Sequence, residues 1–136
     1  MTTTTTTQPI DLVRYNGRLT VTNPATGNHR TFRIRTIMNG KLKGMRTIGL
    51  LIGANNESDY RDFAFVQPTG KITIWKRFSG TVFAELATIV ERHEWYAAYR
   101  GLVYQYSVRC RRCNRELTDP ESISIGMGPY CRGEDG

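Results

Sequence analysis

The chain has 136 residues and a mass of 15.5 kDa, with 39% hydrophobic and 23% charged residues. That suits one domain with a real core, or one domain plus a small appendage, and excludes two full-sized domains. The formal net charge is +7, an excess that suits a polyanionic partner or keeps a surface solvated.

The excess lies early in the chain. Arg14, Arg18, Arg30, Arg33, Arg35, Lys41, Lys43 and Arg46 face Asp11 alone within residues 1–56, whereas bases and acids balance over 57–136. The opening MTTTTTTQP has neither a basic start nor an apolar stretch, so no secretory leader is expected and the cytoplasm is the expected compartment. The longest nearly apolar run, IGLLIGA at 48–54, is far short of the roughly 20 residues that cross a bilayer, so no membrane helix is expected.

Residues 1–10 read as a disordered Thr-rich tail. From residue 12, short β-like runs alternate with turn residues, beginning with LVRYNGRLTVTN around Asn16-Gly17. NPATGN at 23–28 is a turn, and RTFRIRTI at 30–37 alternates Phe32 and Ile34 with Arg33 and Arg35, which predicts a strand with one apolar and one basic face. Asn39-Gly40 marks a tight turn and RTIGLLIG at 46–53 reads as a central strand, being apolar nearly throughout. FAFVQ at 63–67 and KITIWKRF at 71–78 read as two strands joined by Pro68-Thr69-Gly70.

At Thr81 the period changes. Phe83, Leu86, Val90, His93 and Ala97 mark one face of an amphipathic helix, with Ser79 or Thr81 as its cap and Gly101 as its stop. LVYQYSVR at 102–109 returns to strand composition. The expectation is an α+β domain over 11–108, a curled antiparallel sheet of about five or six strands with one packed helix, followed by a zinc-binding module over 109–136.

Cys110 and Cys113 form a C-x2-C pair, and Cys131 follows 17 residues beyond Cys113. Two thiolates at i and i+3 can grip one tetrahedral ion, and a third at this distance falls within zinc-ribbon spacing. Asn114 accepts the positive φ that such a knuckle needs after its second cysteine. Asp119-Pro120-Glu121 has the chemistry of a helix start, and Gly128-Pro129 bends the chain back toward Cys131. Zn2+ is the metal this donor set points to. For the fourth ligand Glu134 ranks first, followed by Asp135, His93 and Asp119, with water the remaining option; His93 also fits a hydrogen-bonded, half-buried role on the apolar helix face. A thiol-disulfide redox pair is the competing explanation of C-x2-C, but it leaves the third cysteine without a purpose.

The stretch CRRCNRELTDPESISIGMGPYC resembles a small zinc-finger-like module of unknown function found in bacteriophage and actinobacterial proteins. Cys110, Cys113, Arg115, Leu117, Pro120, Ser122, Gly126, Gly128, Pro129 and Cys131 fall on that pattern, and Asn114 stands where the family more often has Gly. More weakly, NPATGNHRTFRIRT and NESDYRDFAFV look like the β-rich region that accompanies the module. The resemblance implies a metal module and a mobile-element origin, and no activity.

Three acids at 57–62, Glu57, Asp59 and Asp62, suggest a Mg2+ nuclease only if rooted on rigid strands; in a polar loop they read as a solvated connection. Gly126-x-Gly128 lacks the βα unit of a dinucleotide loop. His29 and His93 sit in unrelated settings and the cysteines are claimed by the knuckle, so a non-enzymatic protein is expected.

Arg33 and Arg35 share one strand face, and Lys71, Thr73, Trp75 and Arg77 share another, the composition of a stacking platform beside a phosphate track. Trp75 equally suits a second core layer. Arg111 and Arg112 add bases at the knuckle. The expected partner is nucleic acid, single-stranded before duplex, held mainly by its phosphates. A host or phage protein complex met by the basic face is the alternative; neither a membrane nor a small-molecule substrate is expected.

Overall fold

Strands alternate their side chains across a sheet, so a segment such as residues 29–36, with Phe32 and Ile34 apolar and Arg33 and Arg35 charged, must bury one face and keep the other polar. The structure, a computed structural model, describes residues 10–55, 57–109 and 115–125. Six strands, β1 (Gly17–Thr22), β2 (His29–Thr36), β3 (Arg46–Leu51), β4 (Tyr60–Val66), β5 (Ile72–Ile74) and β6 (Val103–Tyr106), form one open antiparallel sheet in the order β5-β4-β3-β2-β1-β6. Helices α1 (Val82–Glu91) and α2 (His93–Arg100) connect β5 to β6. Beyond β6 come a two-stranded ladder of β7 (Val108–Arg109) with β8 (Glu116–Leu117) and a short helix, α3 (Pro120–Ile125). This is the α+β class that the change of hydrophobic period predicts. Among the described residues no helix is long and apolar enough to cross a membrane.

The turns follow their chemistry. Between β1 and β2, Asn23 Oδ1 accepts from Ala25 N at 3.1 Å, and Gly27 takes a φ of 78° to close the reversal. Between β2 and β3, Ile37 N donates to Met45 O and Gly44 N to Ile37 O, both at 2.8 Å, which extends the hairpin past its strands and leaves Lys41, Leu42 and Lys43 exposed at the tip. Between β4 and β5, Gly70 N donates to Gln67 O and Gln67 N to Lys71 O, both at 2.8 Å, around the Pro68-Thr69-Gly70 turn.

One face of the sheet carries Leu19, Phe32, Ile34, Ile48 and Ala64, closed over by Leu86, Ala87 and Val90 of α1. Burying each large side chain here is worth about 1.5–3 kcal/mol. A bulge between β3 and β4 leaves Phe63 as the extra residue opposite Ile48 and Gly49, and its fully buried ring packs on Phe32 and Phe83.

Four local expectations are corrected. The segment before Asn16-Gly17 is no strand: Asp11 Oδ1 accepts from Val13 N and Arg14 N, and Tyr15 N bonds Asp11 O, forming a turn from which β1 starts at Gly17. The predicted strand at 71–78 ends at Ile74, and Lys76–Phe78 form a single 3-10 turn. Alternation from Ile72 and Ile74 would drive Lys76 into the core; the turn exposes Lys76 and buries Phe78 instead. The single predicted helix is two, broken at Arg92 with φ −98° and ψ 39°. There the Val90 carbonyl meets His93 Nδ1 at 3.0 Å, competing with the helix's own N–H donor. Thr81 caps α1, accepting from Phe83 N, and Gly101 in the left-handed region stops α2, as expected. The run at 102–109 serves two sheets, because the chain turns off the main one at Ser107, whose N–H still reaches Arg18 O at 2.9 Å.

Candidate nucleic-acid interface

The second face of the sheet is polar, and its rows are fixed by register. One row runs Gln105–Thr20–Thr31, the next Arg18–Arg33–Gly49–Asp62, and a third Arg35–Thr47–Phe65–Thr73. Part of this face is covered. Thr20 Oγ1 donates to the Thr118 carbonyl at 2.7 Å, Gln105 Nε2 reaches Ser124 Oγ at 3.4 Å, and Leu117, Ser122 and Ile123 are buried. Glu116 on β8 pairs with Arg18 and accepts from Ser107 Oγ at 2.5 Å. Strand β8 and helix α3 are therefore seated on β6, β1 and β2.

The rest of the face is built around Asp62. Its Oδ2 accepts from Arg35 Nη2 at 2.6 Å, and its Oδ1 lies 3.8 Å from Arg33 Nη2. Oδ1 fits because β3 has glycine there: a Cβ on Gly49 would stand 2.6 Å from it. The Arg33 guanidinium also sits 4.7 Å over the Tyr60 ring, with Arg18 at 5.6 Å over the same ring. Burial lowers the Arg33 pKa from its ordinary value; Asp62 opposes that, while the Arg35 and Arg18 charges act with it. Burial likewise raises the pKa of the Tyr60 phenol, against the Arg18 charge. Arg33 and Arg35 do share the basic face that alternation predicts, but one carboxylate holds both. Arg35, its side chain 47% exposed, is the more accessible.

Trp75 lies beyond the end of β5 and is half-buried. Its ring packs edge-on against Phe65 at 5.4 Å and tilts on Phe78 at 6.4 Å, so it contributes to the core as well as to the surface. The Arg77 guanidinium sits over both Trp75 and Phe78, at 5.4 and 4.9 Å. The 3-10 turn thus replaces the expected shared strand face, yet it keeps Trp75 and Arg77 together by stacking. Trp75 is common to two concavities: one of about 450 Å3 lined by Leu42, Phe65, Thr73, Ile74 and Lys76, another of about 640 Å3 lined by Ile52, Tyr60, Arg61, Asp62, Arg77 and Phe78. Lys71 is exposed at the start of β5.

Tyr60, Phe65 and Gly49 were not singled out from sequence. Period-2 spacing from Phe63 would have misplaced Phe65, because the bulge at Phe63 shifts the faces of β4. A third first-half base, after Arg18 and Arg33, is tied into the fold: Arg46 donates to the carbonyls of Leu12, Val13 and Tyr15 and to Asn16 Oδ1, clamping the N-terminal turn.

Of the three acids expected in one polar loop, Glu57 and Asp59 precede β4 while Asp62 lies on it, and they do separate jobs. Asp59 Oδ2 accepts from Asn55 N at 2.8 Å, Asp62 holds arginines, and the Glu57 carbonyl accepts from Arg18. Among the described residues no group of three or more His, Cys, Asp or Glu is placed to hold a metal ion. The expected ligands Cys110, Cys113, Cys131 and Glu134, and also Asp135, lie outside the described residues, as do Arg111 and Arg112. Of the other two ligand candidates, Asp119 Oδ2 caps α3, accepting from Ser122 N and Oγ at 3.0 and 3.1 Å. His93 packs on Tyr104, whose partner Val21 faces the helices, so the sheet stands between it and Thr118.

Residues 103–134 match a family of unknown function, DUF6011, a stretch that includes all three cysteines. No curated protein and no solved structure matches the chain.

Proposed function

We propose that this is a non-enzymatic, zinc-binding, phage-type protein of the host cytoplasm that holds nucleic acid mainly through its phosphates. The observation carrying the reading is the surface around Trp75. An aromatic ring flanked in sequence by Lys76 and Arg77, both exposed, lies beyond the strand that pairs with Phe65, on a sheet face where Arg35 remains accessible. Aromatic rings beside tracked cations suit bases and phosphates together. Arg35, Lys71 and Arg77 are the contacts, while Arg33 supports the surface from beneath.

Cys110, Cys113, Cys131 and Glu134 would hold the zinc, and their chemistry fits: three thiolates and a carboxylate make a complete tetrahedral set. The described flanks agree with such a clasp, since Cys110 and Cys113 fall in sequence between two strands that pair with each other, Val108 with Leu117 and Arg109 with Glu116. The bound ion supplies a cross-link for a segment too short to have its own core.

Titration of fluorescent mixed-sequence single-stranded DNA and RNA at rising salt tests the binding. Three phosphate contacts predict a log–log slope of about −2, and no detectable affinity at low ionic strength overturns the reading. Elemental analysis tests the metal: about one zinc per chain is expected, and less than about half overturns the assignment.

A protein-docking role is the second reading, and α2 favours it. This helix buries no residue and exposes Trp95 and Tyr99, with Arg92 and Arg100 stacked over Trp95 at 5.4 and 5.6 Å.

A further inference from the structure

We infer that Trp75 divides a site for two consecutive nucleotides of a single strand: an unpaired base lodges against it in the Leu42–Phe65–Ile74 cavity, and the adjoining phosphate sits at Arg61 and Arg77 in the neighbouring one. The inference rests on the nucleic-acid reading above and deepens it.

The two cavities share Trp75 and differ in character. The first is walled by Leu42, Phe65, Ile74 and Trp75, has Lys76 as its one charged lining residue, and at about 450 Å3 falls within the 300–1,000 Å3 of small-ligand clefts. A flat, apolar-faced group fits it, and the lysine on its wall suits an anionic link. The second cavity, about 640 Å3, offers Arg61 and Arg77, neither of which makes an ion pair among the described residues. Its one acid, Asp62, is already committed to Arg35 and Arg33. One cavity thus selects a base face and the next a phosphate, which is the alternation of a nucleic-acid strand.

Stacking on Trp75 needs a base free of its neighbours, which a duplex does not offer, since its bases show only their edges in the grooves. An extended peptide pairing with the β5 edge is disfavoured, because the Ile72 N–H there is taken by Glu91 Oε1 at 2.6 Å.

The test uses the full chain carrying Trp95→Phe, so that Trp75 is the only tryptophan that reports. Fluorescence is followed on adding a short oligothymidylate, an abasic phosphodiester oligomer of the same length, a duplex containing the same tract, or poly-glutamate. The oligothymidylate is expected to quench Trp75 and to bind at least about tenfold tighter than the abasic oligomer. Read by the anisotropy of end-labelled oligomers, since no tryptophan then remains, Trp75→Ala removes that margin and Trp75→Phe restores part of it. Leu42→Asp, at a side chain already exposed in the hairpin tip, places a carboxylate in the apolar cavity without touching the core and is expected to remove the margin too. Arg77→Ala reduces the salt slope by about 0.7. Equal affinity for base-bearing and abasic oligomers overturns the base cavity while leaving phosphate binding intact. No binding of either oligomer overturns both. Duplex or poly-glutamate bound as tightly as the oligothymidylate overturns the single-strand site.

Discussion

On the β6–β1–β2 side of the polar face, Arg18 is paired with Glu116, Thr20 is bonded to Thr118, and β8 and α3 lie over them. On the β3–β4–β5 side, Asp62 holds Arg35 of β2, which stays 47% exposed, and Trp75 opens onto two concavities, one of them shared with Phe65. Both sides draw on basic and polar residues of the same kinds, and in sequence they look equivalent. What separates them is the desolvation of one arginine: the Arg18 side chain is 20% exposed beside Glu116, whereas that of Arg35 is 47% exposed beside Asp62. A charge removed from water must be paired or it destabilises the fold, whereas one left in water can exchange its partner for a ligand at little cost. Changes on the first side are therefore expected to alter stability more than binding, and changes on the second the reverse.

The largest effect is expected at Glu116. Glu116→Ala leaves Arg18 part-buried without its carboxylate and Ser107 without its acceptor. Loss of about 2–3 kcal/mol is expected, below the 3–5 of a fully buried pair because both side chains keep some exposure. Urea denaturation reads it as a lower midpoint at unchanged m-value. A loss under about 0.5 kcal/mol would place this ion pair with ordinary surface pairs and erase the contrast between the two sides.

Gly49→Ala acts at the boundary. The new methyl would stand 2.6 Å from Asp62 Oδ1 and 3.1 Å from the Arg61 carbonyl. Overpacking of this kind costs about 1–3 kcal/mol. A double-mutant cycle sharpens the cause: with Asp62→Ala in place the penalty is expected to shrink by at least about 0.5 kcal/mol. An unchanged penalty would identify the backbone carbonyl, which cannot be moved, as the obstacle.

How much of this was legible in sequence depends on the range of the signal. Alternation at Phe32, Arg33, Ile34 and Arg35 gave the faces of β2 correctly, and the reversals at Pro68-Thr69-Gly70, Thr81 and Gly101 sit where their local chemistry puts them. Each is decided within a few residues. The break after Ile74 has one local sign, Lys76, which alternation would drive into the core; that Lys76–Phe78 form a 3-10 turn with Phe78 buried depends on a core completed by the later helix α1. The pairing of Asp62 with Arg35 depends on a register set by the bulge at Phe63, and the Arg46 clamp on carbonyls some thirty residues away along the chain. Side chains used this way look like free surface charge in a sequence. Of the eight first-half bases, Arg18, Arg33 and Arg46 are tied into the fold, so the +7 excess overstates the charge available to a ligand.

The smallest stability effect, and the clearest separation, is expected at Arg35. Its ion pair with Asp62 is short, 2.6 Å, but nearly half of the side chain meets solvent, so screening leaves little net stabilisation. Arg35→Ala is expected to shift unfolding by less than about 0.5 kcal/mol. It removes one phosphate contact, so the slope of log affinity against log salt for single-stranded DNA is expected to fall by about 0.7. Arg35→Lys keeps the charge and is expected to keep the slope. If Arg35→Ala lowers stability by as much as Glu116→Ala while leaving the salt slope unchanged, then Arg35 belongs with the structural arginines and the open side of the sheet is closed by Asp62 after all.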